Sequence, residues 1–224
     1  MTELASALES ALLRGAGFRH GFATRKLDFR PPSAPAVEAL GLVLRIDPAR
    51  VYQVSQVHGA VALLAEGDPK GMLSREADAL VANAPGTAVG VRVADCVPVL
   101  LAHPGSGTVA AVHAGWRGLV AGVVENAVDL SAMRGGLAAI GPCIGACCFE
   151  VGQEVAERIG FVDRTVGAKA YVDLRKAVRA RLEGLGVEHV EDVPGCTRCD
   201  ASRFFSHRRD GESAGRHLAV IACR

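Results

Sequence analysis

Three runs in the middle of the chain, Thr87 to Val93, Val97 to Ala102 and Thr108 to Val112, are apolar and valine-rich almost without interruption. A strand with one wet face alternates polar and apolar residues, so near-continuous apolarity predicts strands buried on both faces at the centre of a sheet. Pro104-Gly105-Ser106-Gly107 separates the second run from the third as a turn. The period then changes. From Gly118 to Leu130, Val120, Val123, Val124, Ala127 and Val128 share one side and Glu125, Asn126 and Asp129 the other, the pattern of an amphipathic helix. Buried strands followed by helices that cover them predict a mixed α/β domain.

The flanks fit this reading. Leu4, Leu8 and Leu12, between Thr2 as N-cap and Gly15 as stop, predict a helix over 2–14, and residues 16–24 an entering strand. Pro31-Pro32-Ser33-Ala34-Pro35 reads as a surface connection, and Val51 to Val57 as an extended segment. Further strands are expected at Leu137 to Ile140 and His217 to Ala222. Helices are expected at Glu150 to Ile159, stopped by Gly160, and at Asp173 to Leu182, capped by Asp173. Neither a repeat nor a linker divides the chain, so residues 1–224 read as one domain.

Twenty-five basic against 24 acidic residues leave no strong field to draw the chain to nucleic acid or an anionic membrane, and no apolar run is long enough to span a bilayer. The N-terminal segment carries early acid and does not read as a secretion signal. Seven cysteines then fit a reducing, cytoplasmic setting, as thiols or ligands.

Three reactive side chains stand where strand-like runs end: His58 in Gln56-Val57-His58-Gly59, Cys96 in Ala94-Asp95-Cys96-Val97-Pro98, and His113 before Ala114-Gly115-Trp116-Arg117-Gly118. Each has an ordinary reading, as a hydrogen-bonded histidine, a small buried thiol or a strand-to-helix turn. Together they are also a sulfur–nitrogen ligand set of the kind zinc takes, with three protein ligands leaving one position open. Asp95 weighs toward a site, because a carboxylate in an apolar run needs a partner. Cys143, Cys147 and Cys148 lack the spacing of the zinc deaminases, and no His-x-Glu precedes them. Cys196 and Cys199 form a Cys-x-x-Cys pair without the context of a zinc ribbon or redox site, and read as a turn. Arg203-Phe204-Phe205-Ser206-His207-Arg208-Arg209 reads either as a solvated turn or as an anion site.

These strings, with Ala77-Asp78-Ala79-Leu80-Val81, Ile140-Gly141-Pro142-Cys143-Ile144-Gly145, Cys147-Cys148-Phe149-Glu150-Val151-Gly152, Cys196-Thr197 and Phe204 to Asp210, run in order from residue 56 to residue 210. They resemble the laccase-domain, or multicopper polyphenol oxidase, family, reassigned as purine nucleoside phosphorylases with adenosine deaminase activity and in some members described as peptidoglycan editing factors. The resemblance implies a mixed α/β sandwich related to the catalytic domain of cytotoxic necrotizing factor toxins, and one zinc on His58, Cys96 and His113. Thr24-Arg25 is followed here by Lys26-Leu27-Asp28 where the family usually has Gly-Gly-Val-Ser.

The expected chemistry is phosphorolysis of adenosine, inosine or methylthioadenosine. Arg117, with Arg25 or Arg208, would bind phosphate, and Asp95 would orient a ligand or move a proton. Adenosine deamination at the same site would use zinc to acidify water. With no His-x-His pair, the chain does not match a conventional multicopper oxidase, and copper is expected only as a substitute for zinc. Two other readings are a Cys96–His113 nucleophile and base acting on peptidoglycan precursors, and a metal-stabilised binding module without catalysis.

Overall fold

The computed structural model describes residues 6–31 and 33–224. In chain order its elements are β1 (Ala7–Leu8), α1 (Ala11–Gly15), β2 (His20–Ala23), α2 (Ala34–Leu44), β3 (Val51–Tyr52), β4 (Ala62–Leu64), α3 (Pro69–Met72), β5 (Ala79–Ala82), β6 (Ala88–Val93), β7 (Val97–Ala102), β8 (Val109–Ala114), α4 (Trp116–Ala121), α5 (Val123–Leu130), β9 (Leu137–Ile140), β10 (Glu150–Val151), α6 (Gln153–Ile159), β11 (Val162–Val166), β12 (Lys169–Val172), α7 (Leu174–Gly184), β13 (His189–Asp192), α8 (His207–Asp210) and β14 (His217–Ala222).

The strands form a five-stranded sheet, β1-β2-β14-β6-β3, a six-stranded sheet, β13-β9-β7-β8-β5-β4, and a small sheet, β10-β12-β11. The two large sheets face each other. Phe22, Val89, Val91, Ala219 and Ile221 of the first pack against Leu80, Leu100, Val109 and Ala111 of the second. The opposite face of the six-stranded sheet, with Val81, Val97, Val99, Leu101 and Val112, is covered by Val124, Ala127 and Val128 of α5 and Leu174, Val178 and Leu182 of α7. Leu40 and Leu44 of α2 cover the outer face of the five-stranded sheet, on Ala88, Leu218 and Val220. Every residue of β7 and β8 is therefore buried, on one face by a sheet and on the other by helices. That is the physical cause of the apolar runs, since each valine or leucine side chain removed from water contributes about 1.5–3 kcal/mol. Among the described residues no helix is long and apolar enough to cross a membrane.

Several boundaries differ from the sequence reading. Among the described residues of the helix expected over 2–14, the helix is Ala11–Gly15, and Ser10 caps it by accepting the Leu13 amide at 3.1 Å. Leu8 instead pairs with Phe22 in β1, while Thr2 and Leu4 lie outside the described residues. The proline-rich connection runs directly into α2, with Pro35 in its first turn, where a missing N–H costs nothing. The helical period of 118–130 is real but broken at Gly122, whose φ of 95° separates α4 from α5. The helix expected from Glu150 begins at Gln153, because Glu150 and Val151 pair with Tyr171 and Ala170 in the small sheet.

Two buried histidines make stability depend on acid. His217 accepts the Phe205 amide on Nε2 at 2.8 Å and His20 accepts the Ser10 amide on Nε2 at 2.8 Å, so both fold as neutral rings. Burial lowers both, His217 to about 4. The unfolded chain takes up these protons below about pH 6.5 and the folded chain does not, so stability is intact above 6.5 and falls as pH drops toward 4. The His217 share is on the order of 3 kcal/mol. Urea unfolding of wild type and His217→Gln between pH 7 and 4 checks this; equal slopes in the two proteins would contradict it.

Candidate metal centre

Strand register brings two of the sequence-predicted ligands together. In the antiparallel pair β7·β8, Pro98 lies opposite His113 and Val97 opposite Ala114, so Cys96 comes level with Gly115. Cys96 itself ends the link Ala94-Asp95-Cys96, which carries the chain from β6 in one sheet to β7 in the other. The two-residue period places His113 on the face of β8 that carries Val109 and Ala111, at the rim of the inter-sheet core. His58 reaches the same point from the loop before β4. The ligand atoms of His58, Cys96 and His113 all lie within 4.8 Å of one another, and the two imidazoles meet edge to face with centroids 4.8 Å apart.

Asp78 holds this arrangement. It is fully buried immediately before β5, next to His113 because Ala79 pairs with Val112. One oxygen accepts His113 Nδ1 at 2.7 Å and the His58 amide at 2.9 Å; the other accepts the Gly59 amide at 2.7 Å and the Val57 amide at 3.2 Å. The bond keeps the Nδ1 proton on the Asp78 side, so that Nε2 is the ring nitrogen turned to the ligand cluster. The three amide bonds hold the loop in which His58 takes φ 61°, a left-handed conformation uncommon outside glycine but more open to histidine than to most residues. Gln56 stitches the same loop to the other sheet, its side chain bonding both the amide and the carbonyl of Arg92 at 2.7 Å.

Electrostatics follow from this packing. Burial works to raise the Asp78 carboxyl, but the His113 hydrogen bond and the Gly59 and His58 amides outweigh it and hold the group below the ordinary carboxylate range. For Cys96, burial is likewise overcome, by the charge and hydrogen bond of His113, and the thiol falls to about 6. His113 rises to about 9 against its burial, because of the Cys96 and Asp78 charges and hydrogen bonds. Without metal the pair is thus a thiolate and an imidazolium. Gly115 leaves the room this needs: a Cβ there would stand 3.0 Å from Cys96 Sγ and 3.1 Å from His58 Cδ2. Two imidazoles, one thiolate, a carboxylate behind one imidazole and, among the described residues, no fourth protein ligand are a donor set that fits a metal ion with one position left open.

Above the cluster opens a cavity of about 560 Å³, in the range of small-molecule sites. Its walls include Trp116 and Phe149 and four arginines, Arg30, Arg92, Arg208 and Arg216. Arg30 is paired with Asp28 at 2.6 Å. Arg92, by contrast, donates to the carbonyl of Val54, Arg208 to that of Glu150 and Arg216 to those of Ala214 and Gly215, main-chain acceptors that leave the positive charge unneutralised. Burial and the neighbouring Arg216 charge lower the Arg92 guanidinium. An anion in the cavity would relieve that repulsion.

Of the sequence candidates, Arg208 lines the cavity, whereas Arg117 and Arg25 are exposed outside it. Arg117 stacks on the Trp116 ring at 4.5 Å and Arg25 on Phe205 at 5.2 Å. Asp95 lies in the cavity wall with φ 88°, its carboxylate accepting the Thr197 and Ser206 hydroxyls and, at 2.6 Å, the Arg208 amide. It fixes the sheet-crossing link to the start of α8, which carries Arg208, while the bond that orients His113 comes from Asp78. Asp78 and Arg92 were open to the argument applied to Asp95, each being a charge inside an apolar run. Arg30 and Pro31, a few residues beyond Thr24-Arg25, also line the cavity.

The family described as multi-copper polyphenol oxidoreductase laccase matches residues 35–224. The chain belongs to this laccase-like family. Within it, the chain is 40% identical over 183 residues, 78% of its length and 74% of the relative's, to a protein named purine nucleoside phosphorylase YfiH in Escherichia coli. It is 39% identical over 160 residues, 64% of this chain and 61% of the relative, to a protein from an unknown prokaryotic organism named adenosine deaminase RL5. The crystal structure of YlmD from Geobacillus stearothermophilus matches with a TM-score of 0.90 at 27% identity, over 100% of this chain and 98% of that one. The mixed α/β fold expected from the sequence is therefore that of laccase-like proteins. Among the described residues, the groups able to hold a metal are the His58, Cys96 and His113 set and a cluster of four cysteines. Neither resembles the several His-x-His pairs of a multicopper cluster.

Proposed function

We propose that this laccase-like protein is a zinc enzyme acting on purine nucleosides, chiefly by phosphorolysis, with adenosine deamination at the same site. The observation that carries the reading is a candidate three-ligand metal set at the foot of a cavity whose walls offer two aromatic rings and three arginines that, among the described residues, bond main-chain carbonyls rather than carboxylates. The names of its relatives support the substrate class.

His58, Cys96 and His113 would hold the zinc, which when bound supplies a Lewis acid facing the cavity. Arg208 and Arg216, with Arg92 behind them, bind phosphate and orient an oxygen toward C1′ of the sugar. Phosphorolysis forms that C1′–O bond as the C1′–N9 bond breaks and the base leaves with its electron pair. The arginines hold the phosphate for attack, and Trp116 and Phe149 give the purine apolar faces to lie against. Asp95 acts as a positioning residue by anchoring the Arg208 amide beside Cys96.

Incubation with adenosine, inosine and methylthioadenosine, with and without phosphate, tests this directly. Adenine is expected from adenosine only when phosphate is present, and inosine from adenosine regardless of phosphate; neither product would overturn the proposal. Arg208→Ala or Arg216→Ala should raise the phosphate KM about 10-fold or more, the cost of a charged hydrogen bond, with much less effect on the nucleoside KM. Unchanged phosphate dependence in both variants would remove the arginine wall from that role.

A further inference from the structure

Four of the free cysteines converge away from the three-ligand set. Cys147 and Cys148 lie in the loop between β9 and β10, and Cys196 and Cys199 in the loop between β13 and α8. A parallel bridge between Cys143 and Cys196 lays the loops side by side, the Thr197 amide donating to the Cys143 carbonyl at 3.0 Å. All four sulfurs fall within 4.8 Å of one another. Cys147 stands 3.7 Å from Cys196 and 3.6 Å from Cys199, and Cys148 stands 3.2 Å from Cys199.

Disulfide sulfurs are about 2.0 Å apart, so these are separate thiols. Core packing accounts for Cys148 and in part for Cys196, but not for Cys147 and Cys199, which are exposed. Four thiolates bound at ~2.3 Å around a tetrahedral zinc stand roughly 3.8 Å from each other, close to the spacing found here.

We propose that Cys147, Cys148, Cys196 and Cys199 bind a second zinc ion, a closed four-thiolate site with a structural role. Four thiolates and one divalent ion carry two net negative charges, and the surroundings are built for them. The Arg198 guanidinium faces the Cys148 sulfur, Arg164 donates to the Cys147 carbonyl at 3.2 Å, and the Gly145 amide donates to Cys196 Sγ at 3.3 Å. The ion would cross-link two loops that have little regular structure of their own, the first lining the cavity directly and the second reaching its wall through Asp95. Ile144 and Phe149 line it from the first loop, and Thr197 in the second bonds Asp95.

The test is metal stoichiometry, in which nucleoside turnover plays no part. Protein kept reduced, reloaded with excess zinc and desalted is weighed by native mass spectrometry and assayed for metals. Wild type is expected to hold two zinc ions per chain. The exposed pair Cys147→Ser/Cys199→Ser should hold one, Cys96→Ser should hold the other, and the triple variant none. Cobalt loaded into Cys96→Ser should show the absorption of a tetrahedral four-thiolate complex. The proposal fails if wild type holds a single zinc that the Cys147→Ser/Cys199→Ser pair leaves in place. It fails equally if iron occupies the site, or if the reduced-state mass lacks two hydrogens for each of one or two bridges among these cysteines.

Discussion

Asp78→Ala is expected to lower the affinity of the three-ligand site for metal about 10–100-fold or more, the usual cost of removing the group behind a metal-bound imidazole. Stability should fall with it. The substitution strands the His113 Nδ1–H and three amides in a site where Asp78 is fully buried. Breaking a buried charged pair costs about 3–5 kcal/mol, which in a chain of this size is a fall in Tm of roughly 6–20 °C. Asp78→Asn separates the two effects. It keeps the volume and one acceptor oxygen, but turns an NH2 group toward either the His113 and His58 donors or the Gly59 and Val57 amides. It should recover part of the lost Tm and little of the lost affinity. Thermal unfolding of metal-free protein and zinc titration against a competing chelator measure the two quantities. Wild-type affinity in Asp78→Asn would show that the carboxylate does not set the His113 tautomer.

Why Asp78 carried no role in the sequence reading shows where such reading stops. The central strands were legible because β7 and β8 are buried on both faces, and burial on both faces leaves a signature that one chain can display alone. Helix α2 left no such signature. Its Leu42 and Val43 are 82% and 56% exposed, so its apolar residues follow no helical period. The three candidate ligands are legible as reactive side chains at strand ends. Arg92 and Asp78 were visible only as charges in apolar company, with nothing to say which cavity or histidine they served. The four cysteines were least legible of all. Cys147 and Cys199 are brought together by a bridge between loops some fifty residues apart, and no local pattern encodes that contact. The position of Arg117 is hidden for a related reason: the sequence shows the turn after Gly115, but which side of Trp116 the guanidinium takes is set by packing.

Cys96→Ser is expected to empty the three-ligand site and to reduce phosphorolysis and deamination together, by at least about 100-fold, since losing a ligand costs no less than losing a partner behind one. The thiol at about 6 is ionised at neutral pH and offers a thiolate, whereas a serine hydroxyl stays protonated and offers a weak donor. The same polarity, a Cys96 thiolate beside a His113 imidazolium, is also what a cysteine nucleophile would require. Activity alone therefore decides nothing, because both roles lose it. Metal content separates them. If Cys96 is a ligand, the inactive variant lacks the ion that wild type holds on His58 and His113, and zinc protects the wild-type thiol from alkylation. If Cys96 is a nucleophile, the variant is inactive with its metal complement unchanged, and an electrophilic substrate analogue labels Cys96 in wild type. Chelation is the blunter tool here, because it would strip a four-cysteine site as well and confound lost chemistry with a loosened cavity wall. Cys96→Ser leaves Cys147, Cys148, Cys196 and Cys199 in place, as it does the bonds from Asp95 to Thr197, Ser206 and the Arg208 amide. Its loss of function should therefore appear with a near-native fold by circular dichroism, as expected when the scaffold preforms the site and the ion supplies the chemistry.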